Sequence, residues 1–155
     1  MSAPHELSVS RYIAAPPQFV WRAFVDHGTE WFTPRPWTTP EVQYDLYPGG
    51  RANIRMRSPE GKEHEYLGVM LEVIMGRRLV CTGAMTEGWT PKVSDMNFVR
   101  IDSFDPEGDG TRYTALARHW DEAGAKKHAE MGFAEGWGIV TDQLAEVAER
   151  LFKEG

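Results

Sequence analysis

Apolar and polar positions alternate along most of the chain as far as Trp120, and then change to a helical period. Leu7, Val9, Arg11 and Ile13 share one face of a strand predicted over Leu7 to Ile13, with Ser8, Ser10 and Tyr12 on the other. Ala14-Ala15-Pro16-Pro17 stops it. Proline in a first helical turn gives up no hydrogen bond, so a helix is predicted to start here, with Phe19, Val20, Ala23 and Phe24 as its apolar side. Asp26-His27-Gly28 ends it, and a short helical turn is expected around Glu30-Trp31-Phe32. Thr33-Pro34-Arg35-Pro36-Trp37 is too rich in proline for regular structure and presents an aromatic ring on a stiff loop. Further strands follow. One carries Val42, Tyr44 and Leu46 on a single face. The next runs Arg51 to Ser58, with Ala52, Ile54 and Met56 facing one way. A longer one runs Glu63 to Ile74, bent or bulged near Gly68. Arg78 to Met85, Met96 to Phe104 and Thr111 to Trp120 complete a meander separated by glycine and proline turns. Thr86 to Asp95 has little periodicity and reads as a loop.

From Asp121 the spacing changes. Phe133, Trp137, Val140, Leu144, Val147 and Leu151 recur at steps of four and three, which makes one stripe on a single helix of about 25–30 residues. The Asp121 side chain can cap it by accepting an orphan amide hydrogen. A helix of that length, arriving after the strands, has to cover the sheet. The expected fold is therefore α+β: a curved antiparallel sheet of six or seven strands wrapped around a long C-terminal helix, in one domain over residues 1–155. Gly132, Gly136 and Gly138 lie inside the helical stripe, where each costs up to about 1 kcal/mol against alanine. Either they let helix and sheet approach closely, or they leave free volume at one end of a cavity.

Composition narrows the partners. The 155 residues include 17 basic and 23 acidic side chains, a formal charge of -6. That balance repels a phosphate backbone, so nucleic acid is not an expected partner. Arg51, Arg55 and Arg57 form a small basic stripe that reads more simply as a solvated strand face. Cys81 is the single cysteine, so no intrachain disulfide can form. No apolar run reaches the roughly 20 residues of a membrane span, and Met1 to Glu6 lacks the features of a secretory leader. The expected location is cytoplasmic. Six Trp and seven Met suit either extra core bulk or the lining of a ligand pocket. A homodimer is compatible with free sheet edges but is not derivable from the chain.

Several segments resemble a known family. They are Ile13-Ala14-Ala15-Pro16-Pro17 with Val20-Trp21-Arg22-Ala23-Phe24; Trp31-Phe32-Thr33-Pro34; Leu46-Tyr47-Pro48-Gly49-Gly50-Arg51; Gly68-Val69 through Glu72-Val73 with Arg78-Leu79-Val80; and His128-Ala129-Glu130-Met131-Gly132-Phe133 with Gly136-Trp137-Gly138 and Asp142-Gln143-Leu144. Together they resemble the bacterial proteins related to the C-terminal domain of the activator of the Hsp90 ATPase. That family falls within the START-like, or polyketide-cyclase-like, superfamily of helix-grip proteins. The resemblance implies a pocket between sheet and helix. It names no reaction, because the superfamily spans lipid and hormone binding, ring cyclisation, antibiotic self-resistance and co-chaperone work. The eukaryotic co-chaperone carries a separate chaperone-binding domain ahead of the family domain, and this sequence starts at the family domain. An Hsp90-type chaperone is accordingly not an expected partner.

No phosphate loop, zinc-protease motif or nucleophile elbow is present. Cys81 sits in a predicted strand and reads as a buried thiol. His64, His119 and His128 could hold zinc only if the fold converged them, and no metal or other cofactor is expected. Glu72 interrupts Val69-Met70-Leu71-Glu72-Val73-Ile74. On an inward face it would need a partner and could act as a general base; a bulge would turn it outward into a structural ion pair. Glu72 and His64 are the weak catalytic candidates. Asp142 is expected to bridge to an arginine. Trp37, Tyr66, Met70, Phe98, Trp120, Phe133 and Trp137 are the candidate cavity residues, each of which alone serves equally well as core. The leading expectation is binding of a hydrophobic or aromatic small molecule. The alternatives are an enzyme of the cyclase, dehydratase or hydrolase kind using the same cavity, and a co-chaperone-like interaction domain.

Overall fold

A computed structural model describes residues 5–155. The leader reading made on Met1 to Glu6 rests largely on residues outside that range. Alternating burial makes β1 (Glu6–Ile13) a strand with Val9 and Ile13 inward. Pro16 and Pro17 then start α1 (Pro17–Asp26), whose Phe19, Val20, Trp21, Ala23 and Phe24 are buried. A single turn, α2 (Gly28–Trp31), drops Trp31 into the core, where its indole nitrogen donates to the Ala23 carbonyl at 3.0 Å.

The strands that follow are β2 (Thr38–Tyr44), β3 (Ala52–Arg57), β4 (Glu63–Tyr66), β5 (Val69–Ile74) and β6 (Arg78–Thr82). A two-residue ladder, β7 (Met85–Thr86) with β8 (Thr90–Pro91), occupies the segment expected to be a loop. β9 (Phe98–Glu107) and β10 (Gly110–His119) form a long hairpin. Five strands pair antiparallel in the order β1-β10-β9-β6-β5, and three in the order β2-β3-β4. The two ladders meet where Arg51 bridges Val69 and the Ala52 amide donates to the Gly68 carbonyl at 3.0 Å. β4 and β5 are thus one bent strand shared by both ladders, and counting them once gives a curved sheet of seven strands besides the β7–β8 ladder. The bend needs glycine: a Cβ on Gly68 would stand 2.6 Å from the Thr82 carbonyl oxygen.

The single C-terminal helix expected from the stripe is two helices. α3 (Glu122–Glu130) is capped by Asp121, which accepts from the Gly124 amide at 2.7 Å. α4 (Phe133–Glu154) begins after Gly132, whose φ of 91° lies in the left-handed region where a side chain is strained. The apolar stripe belongs to α4, with Phe133, Val140, Leu144, Val147 and Leu151 buried. α3 buries no residue. α4 packs along α1, α2 and β1 and closes the main core around Phe24, Trp31, Phe104, Tyr113 and Leu144. Among the described residues, no helix is long and apolar enough to cross a membrane. The basic stripe is neutralised strand by strand: Arg51 pairs with Asp45, Arg55 with Glu41 and Arg57 with Glu63.

Candidate functional site

The N-terminal half of α4 does not close on the sheet as its C-terminal half does. Between them lies a cavity of about 120 Å³, lined by residues that include Ile54, Met56, Tyr66, Phe98, Arg100, Ala115 and Ala117 from the sheet, and Phe32, His128, Phe133 and Trp137 from the loop and helices that face it. A more open groove of about 210 Å³ shares Phe32, His128, Phe133 and Trp137 with it and reaches Met131, Gly132 and Gly136 at the α3–α4 break. Those four shared side chains form the partition between cavity and groove.

Each part of the wall has a local cause. Phe32 is placed by the loop after α2, which α4 ties down. Buried Gln143 donates to the Trp31 and Thr33 carbonyls at 2.8 and 2.7 Å and accepts from the Arg35 amide. Tyr66 ends β4 just before the glycine bend, and its ring lies against Gly68 and Gly83. Phe98, Arg100, Asp102 and Phe104 alternate inward along β9, which puts a cation and an anion on the inner face of the sheet.

Arg100 is 7% exposed and Asp102 is fully buried. Arg100 Nε stands 2.8 Å from Asp102 Oδ2, and Arg100 Nη2 donates to Asp102 Oδ1 at 3.2 Å. The Tyr113 hydroxyl donates to Asp102 Oδ1 at 2.6 Å. Aromatic rings of Trp137, Phe32 and Phe24 lie 4.3, 5.1 and 5.4 Å from the guanidinium carbon, a cation–π enclosure. Burial opposes the charge on Arg100, but Asp102 and the neighbouring tyrosines outweigh it and hold the guanidinium above its ordinary range. Burial pushes the Asp102 carboxyl up, against the pull of Arg100 and Tyr113.

At the other end of the wall, His119 Nε2 and His128 Nδ1 are 2.9 Å apart, and His119 Nδ1 is 2.8 Å from the His5 carbonyl oxygen. The carbonyl can only accept, so His119 donates to it from Nδ1. Its Nε2 then accepts from His128, and His128 Nε2 is left with a free lone pair. Burial, and next to it His119, lowers the His128 pKa to about 4, so the ring is neutral near pH 7. That makes it a hydrogen-bond acceptor and a weak base, since an effective general base titrates near the working pH.

Of the seven residues expected to line a cavity, Tyr66, Phe98, Phe133 and Trp137 come together here. Three do not. Met70 is fully buried in the main core, facing Cys81 across β5 and β6. Trp120 follows inward-facing His119, so strand alternation turns it outward, and it is 56% exposed. Trp37 lies on the outer surface, its ring 5.6 Å from that of His64. The two catalytic candidates also lie away from the cavity. A bulge between Met70 and Glu72 reverses the alternation of β5, and Glu72 meets Arg78 at 2.6 Å on the surface. His64 is an exposed residue of β4. Asp142 faces Arg11 at 3.6 Å. Cys81 is buried and its thiol is pushed up to about 11 by burial, which leaves it unreactive. Arg100 on the wall and its partner Asp102 were not singled out from the sequence, and His128 was considered there only as a possible zinc ligand. The inward alternation from Phe98 to Phe104 was the signal for the first two.

A curved antiparallel sheet closed by a long helix over an internal cavity defines a helix-grip protein. Residues 14–149 match the family described as activator of Hsp90 ATPase homolog 1-like protein, and the chain belongs to that family. A crystal structure of a protein from Nitrosomonas europaea is 36% identical and superposes with a TM-score of 0.90 over 97% of each chain. A protein from Mycobacterium smegmatis, 21% identical, gives a TM-score of 0.77 over 92% of this chain and 90% of that one. An AHSA1-like protein from Aeromonas hydrophila, 19% identical, gives 0.68 over 94% and 93%. Comparison with curated proteins finds no match. The fold is that of a ligand-binding or interaction domain in general.

Proposed function

We propose that the protein binds a small hydrophobic or aromatic molecule in the cavity between α4 and the sheet. The observation that carries this reading is the void itself. It measures about 120 Å³ and is walled by Phe98, Phe133, Trp137, Ile54 and Met56. An engineered apolar cavity of about 150 Å³ in another protein stays dry and takes up benzene. The void here therefore suits one ring, and the adjoining groove gives a longer ligand somewhere to extend. A reading as an acid–base enzyme has less support. Glu72 and His64 are on the surface, and His128, with its pKa lowered to about 4, is a weak base.

The test is a panel of single-ring compounds followed by thermal shift and by the fluorescence of Trp137. A binder present at a hundred times its Kd adds about 2.7 kcal/mol of stability, a clear rise in Tm. Substituting Ala117→Leu fills the void from the sheet side and should abolish the response. The reading fails if no compound shifts Tm and a ligand-soaked crystal shows the void closed by Phe133 and Trp137.

A further inference from the structure

Two polar side chains on the cavity wall each keep one hydrogen-bond donor without an acceptor. Tyr66 Oη is buried and has no hydrogen-bond partner among the described residues. Arg100 is the second. Its Nε faces Asp102 at close range but is too poorly aligned to make a hydrogen bond, and only Nη2 donates to that carboxylate. A guanidinium has two edges that can grip a carboxylate, one made by Nε with one Nη and one made by the two Nη atoms. Asp102 lies along the first. Nη2 is the guanidinium nitrogen that donates to a described residue, and the three aromatic rings around the guanidinium offer it only their π faces. Burying donors without acceptors is costly. An apolar void that holds two such donors is complementary to a ligand with an acceptor head and an apolar body.

Resting on the binding function proposed above, we infer that the ligand is a small aromatic or apolar carboxylate, its carboxylate received by Arg100 and Tyr66 and its body packed on Phe98, Phe133 and Trp137. A carboxylate at neutral pH only accepts, in up to four directions, which matches an arginine edge together with a phenol. A ketone or alcohol could serve Tyr66 but would bring no charge to the open edge of Arg100. Tyr66 also feels Arg100 directly: burial pushes the phenol pKa well up, and the nearby guanidinium works against that rise. The phenol therefore stays protonated and available as a donor.

The experiment measures the affinities of benzoate, acetophenone and toluene by calorimetry at neutral pH, for the native protein and for Tyr66→Phe. Benzoate is expected to bind about tenfold or more tightly than acetophenone, the worth of charge-assisted hydrogen bonds in a buried site. Tyr66→Phe removes an unpartnered hydroxyl and keeps the ring, so the fold should tolerate it. It is expected to weaken benzoate about tenfold and to leave toluene unchanged. Acetophenone or toluene binding as tightly as benzoate would overturn the carboxylate inference while leaving the cavity-binding function intact. Binding of none of the three would overturn both. An equal effect of Tyr66→Phe on all three ligands would overturn the role given to that hydroxyl.

Discussion

α4 meets the sheet in two different ways along its length. In its C-terminal half, Leu144, Val147, Ala148 and Leu151 are buried against α1 and the main core, together with Phe24, Trp31 and Phe104. In its N-terminal half, the residues between Phe133 and Val140 include Gly136 and Gly138. A Cβ on Gly136 would meet nothing within 4 Å, and one on Gly138 would press on the Arg11 guanidinium at 2.9 Å. Open space lies over Gly136, whereas the end of the exposed Arg11 side chain lies over Gly138. A single helix both seals a core and leaves a chamber, and the difference lies in which side chains its inner stripe carries. Branched aliphatics fill space to crystal-like density, whereas a large indole at Trp137 and the bare backbone of Gly136 do not.

The comparison can be broken most severely at Arg100. Arg100→Met leaves Asp102 buried without its cation and should cost about 3–5 kcal/mol, read from urea denaturation. Double replacement with Asp102→Asn should recover part of that loss. In the sealed half, Leu144→Ala opens a new void in a closed core and should cost about 3–5 kcal/mol as well. Its signature differs, because it should leave probe binding in the natural cavity intact. The third effect is one of pH. His128 is held below its ordinary value of about 6.5 in the folded protein, so the folded state resists protonation. Its contribution to stability is complete above about pH 6.5 and is lost as pH falls toward the folded value of about 4. His128→Gln should flatten the urea midpoint between pH 7 and pH 5. An unchanged slope would mean that another group titrates there. Ala117→Val should change stability by less than about 1.5 kcal/mol, while reducing probe affinity. Smallest of all, Glu72→Gln breaks an exposed ion pair and should shift stability by no more than about 1 kcal/mol, with no change in binding.

These contrasts also mark what could be read from the chain. The strands and the apolar stripe of α4 follow from periods of two and 3.6, which depend only on local geometry. The break at Gly132 escaped that reading because the stripe of α4 starts one residue later, and the polar residues of α3 fit a longer helix equally well. Trp120 was placed by residue type when alternation decided the matter, since it follows an inward histidine; for Glu72 the bulge that would turn it outward into an ion pair was one of two readings, and the bulged residue before it in β5 decides between them. Ring chemistry alone brought out Tyr66, Phe98, Phe133 and Trp137 but equally Trp37 and Trp120, and it passed over Phe32. The polar groups needed the pairing of β9 with β10, which brings Tyr113 to the buried side of Asp102 from the neighbouring strand, and the fold of α3 over the sheet, which brings His128 to His119. Contacts between elements distant in sequence leave little trace in any one segment.

The left-handed glycine before α4 has a kinetic meaning. α3 is held at its start by the Asp121 cap and along its body through His128, which hydrogen-bonds His119 and packs its ring on Phe98 and Phe133, and it buries no residue of its own. Segments with few buried contacts open at a small fraction of the free energy of global unfolding. Gly132 uncouples α3 from α4, so α3 can detach while the seven-strand sheet and the sealed end of α4 stay intact. α3, a nine-residue segment, is accordingly expected to open on its own faster than α4 does. Amide hydrogen exchange along α3 would report that opening directly, separately from how tightly the chamber grips its contents.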